Sequence, residues 1–313
     1  MDELELIRKI TRDLPTNDRV VVGAGDDCAA LTSGKAGELQ LFKTDAIVEG
    51  VHFTRDAPAE KVGRKALARC LSDIAAMAGV PTAAVVTAGL PRDFAPDYAL
   101  GITRGMNELA REHNVAIVGG ETTTNPERIL LSVSLLGVVA KDRITLRSGA
   151  KPGDAIFVSG DLGGSLEGRH LDFEPRLEQA HWLAEAFRPH AMIDVSDGLA
   201  SDLKHILEAS GVGAELRSAS IPISRAAKQA AASSGNGSTP LNRALSDGED
   251  FELLFTLPSR QAVPLLDGWK AQFPDIRLTC IGKTLEEPGL RIRDDKSGRP
   301  LDIDGYVHFQ KPE

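Results

Sequence analysis

Acidic residues recur where strand-like segments of this chain end, and they are the first candidates for chemistry. Four hydrophobic segments each run into one or more carboxylates, and a further carboxylate comes late in a long helical pattern. These candidates, with one neighbouring hydroxyl, are Asp27, Thr44, Asp45, Asp73, Glu121, Asp194 and Asp197. Carboxylates at strand ends point into the crevice where ligands of mixed sheets usually bind. We therefore expect these side chains to lie close together.

The chemistry of such a cluster depends on its charge and its ligand atoms. Like charges at one place repel each other unless cations hold them. All the candidate ligand atoms are oxygens, which suit Mg²⁺ or Mn²⁺ rather than zinc. Gly119 and Gly120 would allow the backbone to approach a phosphate closely. Each acid alone is also explained as a turn residue or a helix cap, so the prediction of a metal and phosphate site rests on their number.

Three weaker features leave alternatives open. The turn at 160–165 is either a phosphate-binding loop or a plain strand-to-helix turn, and the acidic run 247–252 is either a solvated turn or a second ligand-binding edge. His52 lies seven residues beyond Asp45, and a structural and a functional role are equally compatible with it. The histidines without metal-ligand spacing, which we expect to be surface or core residues, are His113, His170, His181, His190 and His205.

Composition and missing motifs exclude several classes of protein. The chain has 313 residues and a formal net charge of −9, without the run of Lys and Arg that neutralises a nucleic acid backbone. It contains neither a P-loop nor the protein-kinase signatures. Its three cysteines show no C-x-x-C spacing, so we expect neither a disulfide framework nor a cysteine zinc site. The acidic N-terminus has no signal core, and the longest apolar stretch is too short to span a bilayer, so we expect a cytoplasmic protein.

Alternating strand and helix patterns must position these residues. In the first half, strand patterns at 20–22, 39–43, 83–88, 115–118 and 129–139 accompany helices that begin near 58 and 97. After a turn signal at 151–154, strands at 155–159, 191–193 and 251–257 alternate with helices at 176–187 and 199–210. We therefore predict a mixed α+β domain over 1–148 and an α/β domain over 149–313. The Ala-, Ser- and Gly-rich stretch 230–240 is predicted to be a mobile loop or a frayed helix end.

Several longer motifs resemble the thiamine-monophosphate kinase family over nearly the whole chain. The segment 43–53 resembles the family motif T-D-x-x-V-E-G-x-H-F, and 71–77 resembles its L-S-D-x-A-A-M helix. Residues 146–154 resemble the inter-domain segment of the family. Residues 193–199 and 248–255 resemble two motifs of its second domain, and 305–309 resemble its C-terminal ending. The family belongs to the aminoimidazole-ribonucleotide synthetase-like superfamily.

This resemblance implies a fold, a reaction and a set of site residues. The N-terminal domain would be α+β and would form a homodimer, the C-terminal domain would be α/β, and the active site would lie between them. The enzyme would transfer the γ-phosphoryl group of ATP to thiamine phosphate, with several Mg²⁺ ions. The implied metal ligands are Asp27, Thr44, Asp45, Asp73, Glu121, Asp194 and Asp197, of which Asp45, Asp73 and Asp197 are also the implied catalytic residues. Those implied to contact ATP are Gly120, Glu121, Arg147 and Ser196, and those implied to contact thiamine phosphate are His52, Glu249 and Tyr306.

Some positions depart from the family pattern. Glu121 stands where the family usually has Asp, which moves the carboxylate outward by one methylene. Lys43 stands where a small hydroxyl residue can supply a metal contact. Asp247 replaces a common Gly, and Ala78 with Gly79 replaces a usual Gly pair. None of these departures removes a charged site residue.

The implied reaction needs little acid–base chemistry. A phosphomonoester has a second pKa near ~6, so its attacking oxygen is largely ionised at neutral pH. We expect direct in-line transfer without a phosphoenzyme, and the chain has no Ser-His-Asp or Cys-His set. Other ATP-using members of the superfamily, such as selenophosphate synthetase or a hydrogenase-maturation protein, need a reactive or terminal cysteine that is missing here. A non-catalytic relative that binds ATP and Mg²⁺ remains the alternative from another class.

Overall fold

The computed structural model describes residues 3–233, 238–294, 297–303 and 305–306. The first half of this described chain forms a six-stranded sheet with three helices. Its strands are β1 (Val20–Val22), β2 (Ala29–Thr32), β3 (Glu38–Val48), β4 (Val80–Leu90), β5 (Ala116–Thr124) and β6 (Leu130–Ala140). Its helices are α1 (Glu3–Thr11), α2 (Ala59–Ala76) and α3 (Pro96–Glu112). The strands follow the order β1-β2-β3-β6-β4-β5.

Pairing within this sheet explains where its helices lie. The central strands β3 and β6 pair in antiparallel register from Glu38 opposite Ala140 to Val48 opposite Leu130. Strands β4 and β5 pair in parallel, and α3 forms the crossover that parallel neighbours require. Along β3, buried Leu39 and Leu41 alternate with more exposed residues. One face of the sheet therefore packs on helices and the other face is open.

The second half forms a seven-stranded sheet with five α-helices among the described residues. Its strands are β7 (Asp154–Ser159), β8 (Ala191–Asp194), β9 (Gly213–Arg217), β10 (Leu253–Pro258), β11 (Leu278–Leu285), β12 (Gly289–Arg293) and β13 (Gly298–Pro300). Its helices are α4 (Leu177–Ala186), α5 (Leu199–Ser210), α6 (Arg225–Ser233), α7 (Pro240–Ser246) and α8 (Ala262–Gln272). The strand order is β13-β12-β9-β11-β7-β10-β8, with β9 and β12 parallel.

Helix α2 lies at the junction of the two halves. It packs on β3 and β6 of the first sheet and also on α4 and β8 of the second half. Its apolar residues Leu67 and Leu71 are completely buried, in a core that continues into the second half. The helix also packs very closely on α3, because a Cβ at Gly63 or Gly105 would lie 1.8 Å from a carbonyl oxygen of the opposite helix. This packing fixes the position of every side chain that α2 carries toward the junction.

The predicted mixed architecture is confirmed, but two of its details are wrong. Asp45 and Glu121 were expected at strand ends, whereas Asp45 lies inside the eleven-residue β3 and Glu121 inside the nine-residue β5. The physical reason is that pairing with β6 and β4 continues through these polar residues, since the hydrogen bonds of a strand come from the backbone. The two sheets are separated in sequence by residues 141–153, and the domain division at 148/149 stays a prediction.

Two sequence expectations concern parts of the chain that are only partly described. In the stretch 230–240, α6 ends at Ser233 and α7 begins at Pro240 with Thr239 as its N-cap, while residues 234–237 lie outside the described residues. Of the C-terminal motif, Gly305 and Tyr306 are described and residues 307–309 are not. In the described part of the chain, every helix is too short or too polar to cross a lipid bilayer.

Candidate active site

Three of the predicted acids meet at the junction of the two halves. Asp27 follows β1, Asp73 lies near the end of α2, and Asp194 is the last residue of β8. One oxygen of each carboxylate lies within 4.8 Å of those of the other two, and all three residues are buried. We call this group the carboxylate cluster. No second group of this kind occurs among the residues that the structure describes.

Two cationic side chains contact the cluster, and a buried oxygen of Asp27 has no hydrogen-bond partner among the described residues. The Lys43 ammonium lies 2.8 Å from Asp73 Oδ1. Arg147 donates from Nη2 and Nε to Asp27 Oδ1, at 2.6 and 3.2 Å. The other oxygen, Asp27 Oδ2, is buried and has no hydrogen-bond partner among the described residues. A buried acceptor without a partner is costly, so the cluster can still accept a cation.

Crowding changes the pKa values of the cluster. Burial, followed by the charge of Asp27, raises the pKa of Asp194 to about 7, although Ser72 donates a 2.5 Å hydrogen bond to it. Burial raises the pKa of Asp73 well above its usual range, and the neighbouring Lys43 opposes this shift. An additional cation among these oxygens would favour their ionised forms. The electrostatics therefore agree with a site for a divalent cation.

Asp45 lies beside the cluster in an ion pair with Arg69 of α2. Arg69 Nε lies 2.9 Å from Asp45 Oδ2, and Arg69 Nη2 lies 3.4 Å from Asp45 Oδ1. Because Arg69 precedes Asp73 by one helical turn, the pair adjoins the carboxylate cluster. The metal-binding and catalytic roles of Asp45 stay predictions, since its carboxylate is bound by a guanidinium here.

A small cavity of about 80 Å³ opens next to this ion pair. We call it the junction pocket, because segments of both halves line it. Arg69 and Phe251 form part of its wall. Also lining it are five residues that the family resemblance assigned to substrate, ATP or metal, namely His52, Ser196, Asp197, Glu249 and Tyr306.

Glu249 is held in the junction pocket by the buried Lys65 and the partly buried His170. The fully buried Lys65 donates to Glu249 Oε2 and to the backbone oxygen of His52 at 2.6 Å, and its ammonium nitrogen lies 2.7 Å from His170 Nδ1. Two of the three donors of the ammonium are therefore used on oxygen atoms. His170 Nδ1 also lies 3.1 Å from Glu249 Oε2. Lys65 thus connects α2 to two segments of the second half.

Glu249 has both a shifted pKa and a strained backbone conformation. Burial raises its pKa, but the hydrogen bond with His170 and the charge of Lys65 win and lower the pKa of Glu249 to about 2. Burial lowers the pKa of Lys65 to about 8, and the charge of Glu249 opposes that shift. We take the pair as charged, because the ammonium donates to both the Glu249 carboxylate and the His52 backbone oxygen. Glu249 also has a φ of 63°, and such strain in a non-glycine residue is concentrated at functional sites.

The sequence of this chain matches a known family over nearly its whole length. A model of the AIR synthase related protein N-terminal domain matches residues 25–139. The thiamine-monophosphate kinase of Rhodopirellula baltica is 41% identical over an alignment that covers 97% of this chain and 96% of that protein. The thiamine-monophosphate kinase of Bacillus subtilis is 33% identical, with 99% and 100% covered. The chain belongs to the thiamine-monophosphate kinase family.

A solved structure confirms the predicted fold of this thiamine-monophosphate kinase family member. The structure of AaThiL complexed with AMPPCP and TMP has a TM-score of 0.80 and 30% sequence identity to this chain. The match covers 98% of this chain and 97% of the AaThiL chain. Both halves, with the junction between them, are therefore shared with that protein.

In this family member, Glu121 lies away from the carboxylate cluster. The sheet register pairs Glu121 with Thr87 of β4 and Thr87 with Ser132 of β6. Ser132 is in turn paired with Ala46 of β3. Residues opposite each other on neighbouring strands point to the same face, and successive residues alternate. Glu121 therefore lies on the open face of the first sheet, whereas Asp45 faces α2. Within one chain the structure does not bring Glu121 to the cluster.

Thr44 and Gly120 also lie apart from the cluster and pocket. The exposed Thr44 hydroxyl accepts a 3.1 Å hydrogen bond from Ser134 on the same open face. A Cβ at Gly120 would lie 1.8 Å from the Val86 carbonyl oxygen, so the pairing of β5 with β4 by itself explains this glycine. Of the predicted ATP ligands, only Arg147 and Ser196 lie at the junction.

The structure decides between the alternatives for the turn at 160–165 and the acidic run 247–252. The backbone N–H groups of Gly163 and Gly164 donate to carboxylates of Asp250 and Asp247, at 2.7 and 2.8 Å. They are thus used within the protein, which favours a plain turn over a phosphate loop. The interpretation of the run as a solvated turn is wrong, because Asp250 and Glu252 are each only 1% exposed.

Sequence reasoning missed Lys65, Arg69 and Asp26 as site residues. A detectable signal existed for the first two, since Lys65, Arg69 and Asp73 follow each other at intervals of four on α2 and so share one helix face. Asp26 accepts hydrogen bonds from the backbone N–H groups of Asp27 and Arg147. Burial, with the charge of Asp27, raises the pKa of Asp26 to about 6.

Proposed function

We propose that this chain transfers the γ-phosphoryl group of ATP to thiamine phosphate, giving thiamine diphosphate and ADP. The observation that carries the proposal is the adjacency of the carboxylate cluster and the junction pocket in a member of this family. The solved relative AaThiL was complexed with AMPPCP, an ATP analogue, and with TMP. A nucleotide held at the cluster and an acceptor held in the pocket would meet at Arg69, which borders both.

The donor set of the cluster fits Mg²⁺. All three side chains offer carboxylate oxygens, which hard cations prefer, and Asp27 Oδ2 is buried without a hydrogen-bond partner among the described residues. We propose that Asp27, Asp73 and Asp194 hold the ion. When bound, Mg²⁺ would neutralise charge on the phosphates and help to align them. Direct metal contacts of Asp45, Asp197, Glu121 and Thr44 remain proposals that rest on the family motifs.

The chain itself has to bind and orient two phosphate compounds rather than to move protons. The acceptor phosphate is largely ionised at neutral pH, so its oxygen attacks without a general base. We propose that His52, Glu249 and Tyr306, which line the junction pocket together, contact the part of thiamine phosphate that enters it. Arg147 and Ser196 are proposed to contact ATP from the same junction, and Asp45, Asp73 and Asp197 to act at the transferred group. Gly120 and Glu121 are proposed ATP contacts on motif grounds alone.

We also propose that two copies of the chain pack through the open face of the first sheet. Phe42 and Val85 lie on this face, since they share the side of Thr44, and they are 46% and 43% exposed. A second copy would cover this apolar surface. Glu121 lies on the same face, so its role in ATP binding would depend on the dimer. The proposed domain division at 148/149 places this surface in the first domain.

A cytoplasmic location is proposed as well, because the ATP that the reaction consumes is available there.

The function is tested by incubating the purified chain with ATP, Mg²⁺ and thiamine phosphate and separating thiamine compounds by chromatography. We expect thiamine diphosphate and ADP in equal amounts. Thiamine, which has no phosphate to accept the group, should give no thiamine diphosphate when it replaces thiamine phosphate. Binding of ATP without any thiamine diphosphate would instead support a non-catalytic relative and overturn the proposal.

A further inference from the structure

We infer that Arg69 binds the phosphate group of the acceptor, and so selects phosphorylated thiamine over thiamine itself. This inference rests on the proposed function, because it assigns a residue to the acceptor end of that reaction. Nothing in the sequence motifs assigned Arg69 a role. Its position, its hydrogen bonds and its surroundings carry the assignment.

Among the described residues, one donor group of the Arg69 guanidinium has no hydrogen-bond partner. Nε and Nη2 are held on the two oxygens of Asp45. Nη1 is buried and has no hydrogen-bond partner among the described residues. The Glu249 oxygen Oε1 is 3.6 Å from Nη1, which is beyond the length of a hydrogen bond. Nη1 thus has an ion-pair neighbour but no hydrogen bond, and a buried donor without one is costly, so an acceptor that provided this hydrogen bond would be bound favourably.

The unused donor belongs to a side chain that borders the junction pocket. Arg69 is part of the pocket wall, and its guanidinium carbon lies 6.0 Å from the centre of the Phe251 ring. Asp73, one helical turn further along α2, belongs to the carboxylate cluster. A phosphate at Arg69 Nη1 would therefore lie between the pocket and the cluster, where an acceptor phosphate has to be for transfer.

Neighbouring residues keep Nη1 available. Lys65 and His170 both contact Glu249 Oε2, and this fixes the carboxylate with its other oxygen too far from Arg69 for a hydrogen bond. The charges are also balanced, because Lys65 and Arg69 oppose Glu249 and Asp45. A phosphate entering here meets no net negative charge from these four side chains. Arg suits this role better than Lys, since its planar fork can hold a carboxylate and a phosphate at once.

The competing explanation is that Arg69 is only structural and holds Asp45 and Glu249 in place. The two explanations differ in what happens to a ligand that lacks the phosphate. If Arg69 binds phosphate, its loss should weaken the binding of thiamine phosphate and leave the binding of thiamine almost unchanged. If Arg69 only shapes the pocket, its loss should weaken the binding of both ligands equally.

The experiment is calorimetric titration of the full chain with thiamine phosphate and, separately, with thiamine, for the parent and for Arg69→Met. We expect Arg69→Met to bind thiamine phosphate about 10- to 100-fold more weakly, as for loss of a charged hydrogen bond, and thiamine within about twofold of the parent. The matched control is Lys61→Met. Lys61 lies on the same helix as Arg69, about two turns before it, and its substitution removes an ion pair with Asp172 of the second half. It should change neither affinity.

A kinetic measurement provides the second readout. In Arg69→Met the KM for thiamine phosphate should rise while the KM for ATP stays unchanged. If Arg69→Met does not fold, Arg69→Lys is used instead, because it keeps a positive charge beside Asp45 but loses the donor proposed to bind phosphate. The same difference between the two KM values is expected. Equal weakening of both ligands, or unchanged affinity for thiamine phosphate, would overturn the inference. If the parent fails to make thiamine diphosphate, the proposed function itself is wrong, which is a separate result.

Discussion

Lys65 and Glu249 form a buried ion pair between the central helix of the first half and the loop that precedes β10 in the second half. They are 184 positions apart in the sequence. The pair therefore couples the packing of the two halves to the shape of the junction pocket.

Replacing Lys65 by Met should destabilise the fold strongly. The substitution leaves Glu249 without the partner that neutralises it, and breaking one side of a buried pair costs about 3–5 kcal/mol. Denaturant unfolding of both proteins measures the difference. Lys61→Met is the control, because its pair with Asp172 is 45% and 46% exposed and should contribute less than about 1 kcal/mol. Equal stability of Lys65→Met and the parent would contradict the charged pair.

The contribution of Glu249 to stability should disappear in acid. Its pKa is lowered from 4.5 to about 2 in the folded chain, so its charged form stabilises the fold above pH 4.5 and loses this effect as the pH falls toward 2. The shift corresponds to a contribution of about 3 kcal/mol at neutral pH. We expect the free energy of unfolding of Glu249→Gln to lie below that of the parent at neutral pH, with the gap narrowing in acid. A gap that stays constant with pH would show that Glu249 is not held as a carboxylate.

Removing the ammonium of Lys43 should tighten metal binding. Lys43 lies 2.8 Å from Asp73 and competes with any cation that enters the carboxylate cluster. Calorimetric titration with Mn²⁺ should give an affinity at least about threefold higher for Lys43→Met than for the parent, because a repelling charge is gone. Lys35→Met, whose ammonium is paired with Glu38 on the surface, is the control. Weaker Mn²⁺ binding by Lys43→Met would mean that Lys43 supports the metal site instead of competing with it.

A charge on the open face of the first sheet should separate the proposed dimer. Phe42 is 46% exposed on this face, and an Asp there would place charge in an apolar interface. Light scattering should give twice the chain mass for the parent and the mass of a single chain for Phe42→Asp. Val263→Asp, at a 68% exposed position of α8 in the second half, should leave the mass unchanged. A parent protein with the mass of a single chain would rule out this dimer.

The sequence predicts local structure and family well, because these depend on patterns within short segments. Helix α5 runs from Leu199 to Ser210 as the apolar spacing predicts, and the motif residues Asp27, Asp73 and Asp194 converge as expected. What could not be predicted is which face of a strand is covered. Glu121 and Asp45 are equally polar in sequence, yet they lie on opposite faces of one sheet, since the register between four strands decides this.

Ion pairs between distant segments are the second feature that the sequence could not provide. Arg69 and Asp45 are 24 positions apart. An arginine inside an apolar helix pattern carries no signal of its partner, and only the packing of α2 on β3 brings the two together. The unused Nη1 donor of Arg69 is visible only once these partners are in place.

The central claim is tested most directly by ³¹P nuclear magnetic resonance of the parent with ATP, Mg²⁺ and thiamine phosphate. The account predicts that the thiamine phosphate signal is replaced by the two signals of thiamine diphosphate as ATP becomes ADP. Asp73→Asn, which removes one charge from the carboxylate cluster, should slow this conversion by at least about a hundredfold. Asp142→Asn, at an exposed surface ion pair, should not slow it. Conversion of ATP to ADP and inorganic phosphate with thiamine phosphate unchanged, or no conversion at all, would contradict the account.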